Sequence, residues 1–426
     1  MRGLNGDQRG RDRGGEHLVV RSTPVADPGD LLGWLPEPAA LAWVHRGAGL
    51  AGWGEAARIT LPAGDDRFTA GEKWLREVFD GADVRDEVGA LGTGPVAFGS
   101  FTFDASSDGS VLVVPRAVLG RDGRGRAWLT TIGPASESAE AAAWRPPAVS
   151  PLLPPGEIRW HDGSLTAPQW ERAVAAAVRR ITQGQLRKVV LARDLYATAS
   201  EPVDERVLLR RLAARYPDCF TFACAGLVGA TPELLIRRAG TEVGALVLAG
   251  SAPRGSCAEE DAALADGLLG SAKNIEEHAY AAASVREALE PLCAALDVSP
   301  RPELLRFANV QHLGTRVLGA LATDRSALAL AAALHPTAAV GGTPTEAAVE
   351  LISELEQMDR ERYAGPVGWM DASGNGEWGI ALRCAQIRGR RARLFAGCGI
   401  VAGSDPAAEL AEAQVKFRPM QTALEQ

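Results

Sequence analysis

Lysine is nearly absent from this chain of 426 residues: of its 45 basic residues only Lys73, Lys188, Lys273 and Lys416 are lysines. Arginine keeps its proton, whereas a buried lysine can lose one and act as a base, so the few lysines retained are informative. Six cysteines, Cys219, Cys224, Cys257, Cys293, Cys384 and Cys398, show no CxxC spacing. That argues against zinc ribbons and disulfide scaffolds and reads as reduced core thiols. The longest aliphatic run, residues 327–334, is too short to span a bilayer. The polar, glycine-rich N-terminus has no apolar core of a secretory signal, so a cytoplasmic location is expected. Positive charge is not in excess either: the net charge is -8, the pI is near 5.5 and no basic block occurs, which argues against nucleic acid as a partner. No GxGxxG after a strand, Walker loop, GxSxG or zinc signature is present, so nucleotide and serine-hydrolase chemistry lack support.

What is present describes a soluble globular protein. Hydrophobic residues make up 46% and charged residues 23%, enough to bury a sizeable core. Residues 1–16 read as a disordered tail, and residues 17–150 as short strands and a few helices belonging to the same compact domain as the remainder. Residues 41–54 resemble a hairpin with Gly47 and Gly49 at its turn, and 95–103 a buried strand. Residues 145–156 hold five prolines and form the best linker candidate. Beyond it, helices are expected over 167–183, 203–216, 259–269, 272–296, 326–334 and 344–358, and strands over 187–197, 219–228 and 233–238. The hairpin pattern of 233–251 is echoed in 378–398: each pairs an arginine-bearing strand with one ending in Ala-Gly. Strands and helices do not alternate regularly, so the fold class is α+β with large antiparallel sheets.

The richest stretch is 374–422. Two strand-like runs, 378–387 and 392–401, are joined by the turn Arg388-Gly389-Arg390 and pass into a glycine loop with Gly397, Gly399 and Gly403. Ser404 or Asp405 can cap a following helix that has Pro406 at its first position. On that helix Glu409, Glu412 and Lys416 fall at i, i+3 and i+7 and share one face. Two carboxylates and an ammonium beside a glycine loop, with Arg383 on the preceding strand, suit a metal ion plus an anionic substrate. A solvated helix face is the alternative reading.

Ordered segments then bear a family likeness: KVVLAR from Lys188, TPELL from Thr231, LAGSAPRG from Leu248, KNIEEH from Lys273, VQHLGT from Val310, HPTAAVGGTP from His335, and the C-terminal stretch. Together they resemble the chorismate-utilising enzymes, the superfamily of anthranilate synthase component I and isochorismate synthase. The likeness covers residues 165–423, the expected chorismate-binding catalytic region. It implies two large, mostly antiparallel sheets wrapped by helices, with the site between them. It also implies roles. Lys188 matches the base that activates water, and a partly buried lysine can have the depressed pKa this requires. Glu233 matches the acid that protonates the departing C4 hydroxyl, which demands an apolar setting. Glu277 and Glu412 match Mg²⁺ ligands, with Glu409 as a helper; Asn274 stands where some relatives carry an acid. Arg383 and Lys416 match groups that neutralise substrate carboxylates, the former through its bidentate fork. Gly250, Ser251, Gly397 and Gly399 would offer backbone N–H groups, and His312 and Tyr363 would line the pocket. His278, His335 and the tryptophans read as structural.

Relatives differ in nucleophile and in whether pyruvate leaves. No amidotransferase domain is present, and the LLES-type motif of anthranilate synthases is missing. Ala339 stands where salicylate and anthranilate formers generally place Thr, as in isochorismate synthases. The expected activity is therefore Mg²⁺-dependent, reversible conversion of chorismate to isochorismate by a monomer, feeding menaquinone or siderophore synthesis. Salicylate formation, an ammonia-dependent aminating subunit and a non-catalytic chorismate-binding protein are the alternatives.

Overall fold

The computed structural model describes residues 17–135 and 148–426. The expected tail and the first residues of the linker lie outside them. Two sheets, of 13 and 10 strands among the described residues, dominate the architecture. The larger is antiparallel except where Leu18–Val25 runs parallel to Asp83–Asp86. Both sheets draw on both ends of the chain: Leu41–His45 pairs with Phe220–Cys224 in the larger, and Val96–Ser100 with Pro366–Asp371 in the smaller. Buried aliphatic and aromatic side chains fill the space they enclose, with Trp43, Trp170 and Trp378 almost wholly covered.

Two neighbouring chain segments change sheets side by side. Leu227–Thr231 lies in the larger sheet and Leu234–Ala239 in the smaller; Gly376–Ile380 lies in the smaller and Cys384–Arg388 in the larger. Gly229 pairs with Cys384 on one side of the crossing and Leu234 with Gly379 on the other. The expected continuous strand over 378–387 is therefore two strands, and Arg383 sits in the break between them with φ 48°. The two echoing hairpins consequently fall in different sheets, one following each crossing.

Other boundaries moved for local reasons. The strand expected over 219–228 is a hairpin, turning at Ala225 and Gly226, both with positive φ as a tight two-residue turn requires. The helix expected over 272–296 ends at Leu289, because Pro291 cannot donate to a continuing helix and Cys293–Val298 joins the edge of the smaller sheet. Asp405, rather than Ser404, caps the helix Pro406–Glu425, its side chain accepting from Ala408 N.

A buried ion pair ties the strand Lys188–Ala199 to its surroundings. Arg360 donates to both Glu356 oxygens, at 2.5 and 2.9 Å, and to the carbonyls of Val190 and Val340 at 2.8 and 2.9 Å. Glu356 also accepts from Ala192 N at 2.7 Å, and the guanidinium stacks on Phe103. Removing one partner strands the other charge in the core. Arg360→Met should therefore lower unfolding free energy by about 3–5 kcal/mol in denaturant titration. A loss under about 1 kcal/mol would mean that this tie is dispensable.

Candidate active site

The crossing leaves a cavity between the sheets. Side chains at the two sheet breaks belong to neither core, so Glu233 and Arg383 are free to face it. Lys188 enters from the start of its strand, which runs antiparallel to Arg391–Ile400 with Val190 opposite Gly399 and Ala192 opposite Gly397. Those glycines make room: a Cβ on Gly399 would stand 2.1 Å from Glu277 Oε1 and 3.1 Å from Lys188 Cε. Glu277 comes from the helix Ala272–Leu289, which His278 pins to the smaller sheet through Ala249 O at 3.1 Å and Thr315 Oγ1 at 2.7 Å. On Glu242–Pro253 a bulge with Gly250 at φ 75° breaks the register, and Ser251 Oγ then donates to Glu412 at 2.9 Å.

Three lysine–carboxylate pairs organise the charge. Lys188 Nζ lies 3.4 Å from Glu277, Lys273 Nζ 2.5 Å from Glu409, and Lys416 Nζ 2.6 Å from Glu412. These are all the lysines except Lys73. Lys188 has no exposed surface, and its Nζ finds no hydrogen bond. Burial pulls its pKa below the ordinary lysine value despite Glu277 and Glu233. Burial pushes Glu233 up to about 7, against a weak bond from Leu248 N and the charges of Lys188 and Arg383. Burial would also raise Glu412, but Lys416, Lys273 and Ser251 outweigh it and hold the carboxyl at about 2. Lys416, whose Nζ also donates to Gly397 O at 2.8 Å, is carried above the ordinary lysine value: burial lowers it, but Cys398 and Glu412 prevail.

His312 donates from Nδ1 to Gly250 O at 3.3 Å, leaving Nε2 buried and unpartnered. Burial, then Arg383 and Lys416, lower its pKa to about 3, so it is neutral. Tyr363 stacks on Phe395, and burial raises its phenol well above the ordinary value. Arg383 makes no ion pair among the described residues, so its guanidinium is left for an anion.

Lys188 aside, which reaches the cavity through Glu277, every residue expected to act on substrate lines it: Glu233, Gly250, Ser251, His312, Ala339, Tyr363, Arg383, Gly397 and Lys416. Glu277, Glu412 and Gly399 line it too. Glu409 stands behind Glu412, 1% exposed, with Oε2 unpartnered. Glu276 points outward and accepts from Tyr280. His335 is held by Phe103 O, and His278 is used at both nitrogens.

The expected reading placed Arg383 on a strand; the structure corrects this, placing it in the break between Gly376–Ile380 and Cys384–Arg388, from which its side chain enters the cavity. Sequence reasoning gave no role to Arg360, which also lines the cavity, nor to Lys273. The scarcity of lysine was the signal for the second.

Residues 40–425 match the family described as chorismate binding enzyme. The chain belongs to the chorismate binding enzymes. A Mycobacterium tuberculosis protein provisionally named isochorismate synthase MenF is 44% identical over 358 residues, covering 80% of this chain and 90% of that one. Isochorismate synthase DhbC of Bacillus subtilis is 40% identical over 305 residues, 64% and 77% of the two chains. The solved structure of MenF, the menaquinone-specific isochorismate synthase of Escherichia coli, superposes with a TM-score of 0.80 at 26% identity, covering 96% of this chain and 95% of that one. Among the described residues no helix of this chorismate binding enzyme is long and apolar enough to cross a membrane.

The carboxyl shifts can be read directly. Infrared spectra should show protonated carboxyl absorption that fades as pH rises through about 7, from Glu233 and from Glu205, which burial also raises to about 7. Glu233→Gln should remove part of that band; an unchanged band would mean that Glu233 is ionised throughout.

Proposed function

We propose that this protein is an isochorismate synthase, exchanging the C4 hydroxyl of chorismate for one at C2. The observation that carries the reading is a buried acid lining the cavity, Glu233, and a buried base behind its wall, Lys188 against Glu277, with pKa values displaced in opposite useful directions. The isochorismate synthases among its relatives support it.

Neutral Lys188 takes a proton from water as the oxygen bonds to C2. The ring double bonds shift, the C4–O bond breaks, and Glu233 delivers its proton so that water leaves. Water enters and water departs, so substrate and product are isomers, and the same groups with exchanged roles serve the reverse direction. Each turnover leaves Lys188 protonated and Glu233 ionised; a proton returns from one to the other through solvent before the next. Arg383 and Lys416 oppose the charge of the substrate's carboxylates and hold the ring between base and acid. Ala339 offers no hydroxyl to assist pyruvate loss.

The donor set fits Mg²⁺: hard carboxylate oxygens at the cavity, Glu412 ionised at any working pH, and an orphaned oxygen on Glu409 behind it. Glu277 and Glu412 would hold the ion, with Glu409 supporting. When bound it supplies positive charge for a substrate carboxylate. Lys273 and Lys416 balance Glu409 and Glu412 in its absence.

Purified protein incubated with chorismate and Mg²⁺ should give isochorismate without pyruvate on chromatography. Lys188→Ala and Glu233→Gln should each lower kcat by at least about 10²-fold with far-ultraviolet circular dichroism unchanged. Near-native turnover in either would overturn the assignment, and salicylate with stoichiometric pyruvate would move the protein to a lyase branch. Glu412→Ala should raise the Mg²⁺ concentration for half-maximal rate by about tenfold or more; an unchanged Mg²⁺ titration would remove Glu412 from the metal site.

A further inference from the structure

Cys398 precedes Gly399 but lies on the other face of its strand, away from the cavity and towards the helix Pro406–Glu425. Its thiol donates to the carbonyl of Glu409 at 3.3 Å. Sγ of Cys398 and one carboxylate oxygen each from Glu409 and Glu412 lie within 4.8 Å of one another. Glu409 Oε2 is buried without a partner in this cluster. We propose that Cys398, Glu409 and Glu412 form a binding site for a thiophilic divalent cation, Zn²⁺ foremost, that competes with Mg²⁺ and stops turnover.

Three arguments support it. A thiol among carboxylates is a poor donor for Mg²⁺, which prefers oxygen, and a good one for Zn²⁺. Zn²⁺ bonds of about 2.0–2.3 Å place ligand atoms around one ion about 3.3–3.7 Å apart, so the cluster needs to close by only about 1 Å. Charge is the third. The Lys273–Glu409 and Lys416–Glu412 pairs are already neutral, so a divalent ion adds two positive charges; a thiolate ligand cancels one of them, which an oxygen-only site cannot do. Binding breaks the S–H bond and forms a metal–sulfur bond, the proton leaves to solvent, and no redox change occurs. Because Glu412 serves both ions, the two occupancies exclude each other. The inhibitory consequence rests on the Mg²⁺ reading above; the site itself does not.

Co²⁺ reports the two parts separately. Titrated into the full-length protein, it should give one equivalent with a near-ultraviolet sulfur-to-cobalt charge-transfer band that Zn²⁺ abolishes. Cys398→Ala, which only removes the thiol from a buried position, should lack the band. Cys257→Ser, at an exposed thiol, should keep it. In Mg²⁺-supported turnover, the Zn²⁺ concentration for half-inhibition should rise about tenfold or more in Cys398→Ala relative to that variant's own uninhibited rate. No band, or a band that survives Cys398→Ala, would overturn the site. A Cys398-dependent band with turnover indifferent to Zn²⁺ would overturn the competition.

Discussion

The arrangement depends on holding the amine of Lys188 away from bulk solvent. It has no exposed surface and one carboxylate within 4 Å, that of Glu277 at 3.4 Å. A buried charge with so little compensation is costly, and the protein lowers that cost by making the neutral amine accessible. Everything around it follows from this requirement. Gly399 is bare because any side chain there would strike Glu277; His278 uses both ring nitrogens to seat the helix bearing Glu277; the Arg360–Glu356 pair keeps the lysine's own strand in register with the loop that carries Ala339.

The same device recurs with different outcomes. Lys416 and Glu412 are less enclosed, and their contact is close and reinforced by Ser251 and Gly397, so both remain charged. Glu233 has no such partner and drifts to about 7. Four carboxylates and three lysines around one site thus separate into an acid, a base and fixed charges. Distance and hydrogen bonding make the division, not residue type.

The double crossing between the sheets explains how these groups meet. Most side chains within the strands of either sheet are committed to a packed face. At the breaks on either side of the crossing the chain has left one ladder and not yet entered the next, so Glu233 and Arg383 can converge on the enclosed space. A positive φ at Arg383 is part of that geometry.

Much of this was legible in the residues. The helix Pro406–Glu425 could be placed from Asp405 and Pro406, and the common face of Glu409, Glu412 and Lys416 from their spacing, because capping and helical periodicity are local. The rarity of lysine marked Lys188, Lys273 and Lys416 before any contact was known. Local rules failed where the outcome was set by distant strands. Residues 378–387 carry an unbroken strand pattern, yet they divide because two different sheets claim the two halves. Residues 290–296 left a helix that their composition permits, because Pro291 interrupts it and a sheet edge waits beside it. Which ammonium faces which carboxylate, and hence which group loses or keeps its proton, was decided only in the tertiary structure, since desolvation and charge separation act through space and not along the chain.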